Sequence, residues 1–312
     1  MMTGQAQSND FRGDVTQLSM KLRATVVILR WLDRISPAMS ANLLMTKFVT
    51  PRRKSDSDYS DQMPDGARRI EVIHNLTKIT GWVWGDGGPS VLLLHGWEGH
   101  TGRMIPLIKP LLAQGYRVFT LDAPGHGLSP EAKTHLIDVG YAIQSMIEQY
   151  GPFYGIIAHS FGAAATSIML AREPQLMPRK LVLMSPMRDL QQHLDIFSRI
   201  ARLSADRKDR LRARVERCIG LSFDRVSTIE AVRTFRIPGL VIHDRHDTLI
   251  PYEVGEAVAA NWTGARFVST DKLGHRQGLN SADVLGCIME YLAAEIHFQQ
   301  AARVVRAHAR VG

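Results

Sequence analysis

At 312 residues the chain has room for one large α/β domain with insertions, or for two small domains. Its 45% hydrophobic and 22% charged residues are those of an ordinary globular protein, and no repeat or low-complexity tract interrupts it. Cys218 and Cys287 are too few for a disulfide framework and lie at no Cys/His spacing that would support zinc, while a formal charge of +8 creates a basic field able to attract anions.

The first seventeen residues are polar and lack the apolar core of a secretory signal. The stretch 24–29 is bounded by Arg23 and Arg30 and is too short to span a bilayer. With few cysteines as well, the chain reads as soluble and cytoplasmic. Leu18, Leu22, Val26, Leu29 and Leu32 recur at helical spacing, and Ser36-Pro37 predicts the start of a second helix that Pro51 ends. Residues 1–65 therefore read as an N-terminal helical extension and a charged linker. Lys21, Arg23, Arg30, Arg52, Arg53 and Lys54 crowd this region. Three roles suit such a basic, striped pair of helices: packing on the rest of the protein, dimerisation, or peripheral contact with an anionic membrane surface. Solvated helix faces also account for the charge, and no aromatic-interleaved basic strand points to nucleic acid. The oligomeric state stays open.

Residues 69–74 and 78–85 alternate in β fashion and predict an antiparallel hairpin at a sheet edge. Six continuous apolar runs follow, at 91–95, 118–122, 153–159, 181–185, 240–244 and 267–270, with helical segments at 103–114, 134–150 and 161–172 among them. Runs without alternation mark strands covered on both faces. The expected fold is α/β: a doubly wound, mostly parallel sheet over residues 66–298, with substrate at the carboxyl ends of its strands. Between 186 and 236 the strand–helix rhythm fails. That helical, Arg-rich stretch reads as a cap insertion over the site or as a structural excursion without that role. Residues 299–312 form a basic tail.

Several motifs fall at the strand ends. Residues 156–162 read Ile-Ile-Ala-His-Ser-Phe-Gly, an apolar run that stops at Ser160 between small residues and turns helical. This is the chemistry of a nucleophile elbow, although a serine in a strand-to-helix turn is also an ordinary helix cap. Asp244 and Asp247 lie in and just after a later apolar run, and His275 follows Gly274 in a loop beyond the last one. His95-Gly96-Trp97 ends the first run of the parallel set, and residues 121–129 close the next with a Pro/Gly turn.

These segments, in the order Ser, Asp, His, resemble the α/β-hydrolase superfamily, most of all its small serine esterase and lipase-like members, over residues 78–292. The resemblance implies Ser160 as nucleophile, His275 as general base and Asp247 as the acid that orients it. Asp247 is preferred to Asp244 because the family's acid lies shortly before an apolar-Pro pair, here Ile250-Pro251. It also implies an oxyanion hole from the backbone N–H groups of Trp97 and Phe161, a small-molecule ester or thioester substrate, and no metal or organic cofactor. Ala158 departs from the Gly-x-Ser-x-Gly pattern by one methyl, which crowds the strand–helix approach. A serine at this position, where relatives that open epoxides or cleave carbon–halogen bonds carry Asp, points to acyl transfer. His95 is expected to hold its loop, Asp122 to brace its turn, and His243 and His246 to be solvent-facing or supporting polar groups. The contrasting readings are a non-catalytic binding module on the same fold, and an acyltransferase or perhydrolase using the same three residues.

Overall fold

The computed structural model describes residues 35–52, 63–130 and 132–294. The apolar stripe from Leu18 to Leu32, most of the linker and the basic tail lie outside those residues.

The predicted hairpin is β1 (Arg68–His74) and β2 (Thr77–Trp84), paired antiparallel. Then come β3 (Ser90–Leu94), β4 (Arg117–Leu121), β5 (Gly155–His159), β6 (Lys180–Met184), β7 (Gly239–Asp244) and β8 (Ala265–Thr270). The sheet runs β1-β2-β4-β3-β5-β6-β7-β8. β2 meets β4 antiparallel, and every pair from β4 to β8 is parallel. Alternate residues of each central strand enter two separate cores. Leu92, Ile156, Leu181 and Val241 fill one, and Leu93, Ile157, Val182 and Leu240 the other. A strand buried on both faces has no polar face to present, hence the unbroken apolar runs. β8 differs, for Arg266 and Ser269 are exposed and the rest of the strand is only half-buried. It is the edge strand, paired with β7 alone, and its faces are only partly covered, so the apolar run overstates its burial.

The helices are α1 (Pro37–Val49), α2 (Ile105–Ala113), α3 (Leu136–Tyr150), α4 (Phe161–Arg172), α5 (Leu190–Ala201), α6 (Ala205–Ile219), α7 (Thr228–Val232), α8 (Tyr252–Ala260), α9 (Gly274–Gln277) and α10 (Ala282–Ala293). The segment expected at 103–114 splits into a 3-10 turn (Thr101–Met104) and α2, with a proline in the first turn of α2 and Pro110 inside it. Proline suits the first turn and Pro110 forgoes one donor further in, while Gly115, in the left-handed region at φ 79° just past the cap residue Gln114, ends the helix. α3 starts two residues later than the pattern suggested. Thr134 and His135 are used as its cap, both bonding Asp138. Among the described residues no helix is long and apolar enough to cross a membrane.

Residues 186–236 hold α5, α6 and α7. On α6 only Leu211 and Val215 are buried. Its other face carries the Arg-rich charge, in part paired as Arg212 with Glu216 and Asp224. The second helix of the N-terminal extension packs here. Ser36 caps α1 by accepting the Met39 N–H, and the helix then buries Leu44, Phe48 and Val49 against the inserted helices. Burial of each large apolar side chain is worth about 2 kcal/mol. Val49 carbonyl accepts the Thr134 N–H at 2.7 Å, which ties α1 to the start of α3 as well.

β7 carries both aspartates considered above toward the site, and its first residue has no room for a side chain. A Cβ on Gly239 would stand 2.3 Å from the ring of Trp262. That ring is buried and held by a 3.0 Å bond from its N–H to Ile237 carbonyl. Gly239→Ala is therefore expected to cost about 1–3 kcal/mol by overpacking, lowering the calorimetric Tm by roughly 3–10 °C. Gly286→Ala, which meets open space on α10, serves as the control. Equal Tm values for the two variants would refute the close-packing account.

Candidate active site

Ser160 occupies the single residue between β5 and α4, at φ 54° and ψ −116°. A non-glycine residue there is strained by about 1–3 kcal/mol and persists only where its surroundings over-determine it. They do. The Ser160 N–H donates to Met184 carbonyl at 2.9 Å, and Ser160 carbonyl accepts the Ala164 N–H at 3.2 Å. Two glycines let the neighbouring chain close in. A Cβ on Gly162 would lie 2.3 Å from the carbonyl of His95, and one on Gly96 would lie 3.0 Å from the Ser160 Cβ. Ala158 is fully buried, so the extra methyl at the first position of the pattern is accommodated. The hydroxyl of Ser160 makes no capping bond to α4. Its partner is His275, whose Nε2 lies 3.0 Å from Oγ.

His275 Nδ1 lies 2.7 Å from Asp247 Oδ2. The other oxygen, Oδ1, accepts the N–H groups of Leu249 at 2.9 Å and Ile250 at 2.8 Å. His243 Nε2 stands 3.1 Å from Ile250 carbonyl and 3.3 Å from Asp247 Oδ2. Burial works against the Asp247 carboxylate, but hydrogen bonds from His243 and His275 outweigh it and hold its pKa well below the usual carboxylate range. His243 is fully buried, which removes the solvent-facing alternative for it. His246 is exposed and pairs with Asp271 at 3.1 Å.

Asp244 has a different task. Oδ1 accepts the N–H groups of His246 and Gly274, both at 2.9 Å. Oδ2 accepts the Thr270 hydroxyl at 2.8 Å and the Leu273 N–H at 3.0 Å. It thus grips the backbone just before His275 without touching the imidazole. Burial again opposes this charge, and the donors prevail, lowering its pKa. On the other side His159 Nε2 donates to the carbonyl of His275 at 2.9 Å. Burial first, and the adjacent His275 second, push the His159 pKa down to about 3, so it stays neutral. Neither the His159 contact nor the grip of Asp244 carries a sequence signal, because each bridges segments far apart in the chain.

The loop after β3 is pinned from within. His95 donates from Nδ1 to Gly96 carbonyl at 2.8 Å and accepts the Ala123 N–H on Nε2 at 3.2 Å, which fixes its neutral tautomer. Asp122 accepts the N–H groups of Thr101 at 2.7 Å and Leu128 at 2.9 Å, bracing the turn as expected. Phe161 opens α4, so its N–H is one of the donors a helix cannot satisfy internally. The rings of Phe161 and Trp97 meet at 5.0 Å.

Ser160 opens into a cleft of about 360 Å³ whose lining includes Trp97, Phe161, Met187, Ile196, Ile200 and His193. α5 supplies the last three, so the inserted helices form part of its wall. His193 is packed among Phe48, Trp97 and Phe161, with ring centroids 4.8–5.0 Å away. Burial pushes its pKa to about 3. Among the described residues no group of three His, Cys, Asp or Glu side chains is placed to hold a metal ion.

Comparison with known proteins gives a consistent picture. The model of a family described as "Alpha/beta hydrolase family" matches residues 91–284. A pimeloyl-[acyl-carrier protein] methyl ester esterase of Xanthomonas campestris is 27% identical over 246 residues, covering 66% of this chain and 96% of that one. A serine hydrolase-like protein of Danio rerio is 29% identical over 144 residues, 43% of this chain. The matches span 40% of that relative and 31% of a Dictyostelium discoideum counterpart. Among solved structures, an esterase of Pyrococcus furiosus has a TM-score of 0.61 at 20% identity, covering 79% of this chain and 99% of that one. A bromoperoxidase of Bacillus anthracis has 0.56 at 17%, covering 72% and 99%. At such identities the solved structures share the fold.

The two buried neutral imidazoles set an acid sensitivity. An unfolded histidine takes a proton near its usual 6.5, whereas folded His159 and His193 do so only near 3. Between those values the unfolded state binds more protons, so stability falls as pH drops from 6.5 toward 3. In urea titrations the unfolding midpoint should fall between pH 7 and 4.5, and fall less in His193→Phe. An equal fall in both proteins would show that His193 is not held neutral.

Proposed function

The chain belongs to the alpha/beta hydrolase family, and on that premise we propose that it is a serine hydrolase cleaving small-molecule carboxylic esters or thioesters through an acyl-enzyme on Ser160. The observation that carries this reading is the unbroken run of contacts from Ser160 Oγ through His275 to Asp247, at 3.0 and 2.7 Å. The esterase and serine hydrolase-like names of its relatives support it.

A serine hydroxyl is too weakly acidic to attack a carbonyl unaided. In the proposed reaction His275 Nε2 takes the Oγ proton as Oγ bonds to the substrate carbonyl carbon. Asp247 keeps Nδ1 protonated and stabilises the imidazolium by remaining ionised, a task suited to a carboxylate with a depressed pKa. The negative oxygen of the tetrahedral intermediate is met by the N–H groups of Phe161 and Trp97. Such a donor typically contributes ~3 kcal/mol. His275 then returns its proton to the departing alcohol or thiol, leaving an acyl group on Oγ. Water, deprotonated by the same imidazole, attacks that acyl group and releases the carboxylic acid and free serine. Asp244 and His159 act through His275, one gripping its loop and the other its carbonyl. Residues 186–236 serve as a cap that narrows the cleft and excludes water.

A fluorophosphonate probe, which reacts only with an activated serine, should label the protein at Ser160. Ser160→Ala should lose both labelling and p-nitrophenyl ester hydrolysis. Comparable turnover by that variant would refute the assignment.

The two aspartates should separate by their signatures. Asp247→Asn is expected to lower kcat by about 10⁴, as the same change does in a serine protease triad, because the imidazole is left in the wrong tautomer. Asp244→Asn should lower kcat less and lower Tm more, since it loosens a backbone grip. The reverse pattern would transfer the orienting role to Asp244.

A further inference from the structure

Charge in the cleft is not balanced. Arg52, Glu98, Arg103 and Arg276 all line it. Arg52 bonds both oxygens of Glu98, from Nε to Oε1 at 2.7 Å and from Nη2 to Oε2 at 2.9 Å, with its own N–H adding a 3.2 Å bond. Glu98 directly follows Trp97 and sits in the left-handed region at φ 55°. With the cleft's carboxylate engaged, two guanidinium groups remain. Neither Arg103 nor Arg276 has a side-chain hydrogen bond or ion pair with any described residue, and both are exposed to an incoming ligand.

Their positions are built rather than incidental. Arg276 immediately follows His275 in α9, whose start is gripped by Asp244. Arg103 lies in the 3-10 turn that Asp122 anchors through the Thr101 N–H. Partial burial, and then the charge of Arg103, weaken the hold of Arg276 on its proton, and the nearby Glu98 offsets this only in part. Like charges gathered in a cleft are mutually destabilising until an anion joins them. A guanidinium presents a planar fork of donors that matches the oxygens of carboxylate and phosphate. The same cleft also carries Met187, Ile196, Ile200, Leu249 and Ile250, a surface suited to an aliphatic chain. Ser160 lines that cleft too.

We propose that Arg103 and Arg276 bind an anionic group, carboxylate or phosphate, carried by the ester or thioester substrate, whose aliphatic part lies against the apolar lining. The inference rests on the reading of Ser160 as nucleophile and narrows its substrate to amphiphilic anions. The charge can sit on the acyl part or on the leaving part, and matched substrates distinguish the two.

With the full chain, kcat/KM is measured for monomethyl adipate against methyl hexanoate, and for 2-phosphoethyl hexanoate against butyl hexanoate. In at least one pair the charged ester should be preferred by about 10-fold to 100-fold, the scale of charge-assisted hydrogen bonds. The pair that shows the preference tells which part carries the charge. In the double variant Arg103→Gln/Arg276→Gln that ratio should fall to near one. Because each ratio is taken within one protein, a general loss of activity does not mimic the effect. No preference in either pair, or the same preference in the double variant, would overturn the inference while leaving Ser160 labelling intact. Calorimetric titration with hexyl phosphate reads the anion site apart from chemistry. Its binding should weaken at least 10-fold in the double variant. Arginine-dependent binding without labelling of Ser160 would overturn the serine reading and keep the anion site, and equal binding by both proteins would overturn the anion site.

Discussion

Two stretches of backbone approach each other at the tip of the sheet more closely than side chains allow, and the rest of the site follows from that approach. Gly162 lets the first turn of α4 lie against the carbonyl of His95, and Gly96 lets the loop after β3 lie against Ser160. The elbow residue is forced into a conformation that an isolated chain would leave at once. It is retained because β6 accepts its N–H and α4 uses its carbonyl. The parallel sheet makes this affordable. Strands with apolar residues on both faces lock the register of β5 between β3 and β6, so local strain cannot relax by slipping. Strain is thereby turned into placement: the hydroxyl is held clear of its own helix and within reach of an imidazole.

The other half of the site shows how two similar acids are given unlike work by geometry alone. Asp244 ends β7 and Asp247 lies three residues on. Asp244 takes the N–H groups of Leu273 and Gly274 in the loop after β8, the Thr270 hydroxyl at the end of β8 and the His246 N–H in its own turn. Asp247 gives one oxygen to backbone donors and keeps the other for imidazoles. Both stay ionised despite burial because each lone pair meets a donor. His275 is thus fixed at its side chain by one acid, ahead of it in the backbone by the other, and at its carbonyl by His159.

Much of this was legible in the residues. Unbroken apolar runs located β3 to β7, and alternation located the β1–β2 hairpin, because these patterns report directly on how many faces a strand buries. β8 was found by the same signal but misjudged in its surroundings, since an apolar run does not say how completely helices cover the two faces of a strand at the sheet edge. The order of Ser160, Asp247 and His275 pointed to one site because the topology returns every such segment to the same sheet end. What could not be read were contacts between distant segments. His159 against His275, His243 against Asp247 and Phe48 against His193 depend on how loops pack, and loop packing has no period. The choice between the aspartates hung on a single turn, in which a step of three residues, from Asp244 to Asp247, exchanges a loop anchor for a partner of imidazole.

The union of α1 with the inserted helices bears on how the protein is made. Leu44 and Phe48 leave the ribosome early, yet the α6 helix they pack on is encoded much later, as are His193 and Phe197, which touch the Phe48 ring. At ~5–20 residues per second, this apolar face waits on the order of ten seconds for its cover. The nascent chain must carry it unsheltered through that interval, together with β1 and β2, whose neighbour β4 also comes afterwards. Synthesis speed and chaperone access over that window therefore bear on yield, in a protein whose finished form gives no sign of the exposure.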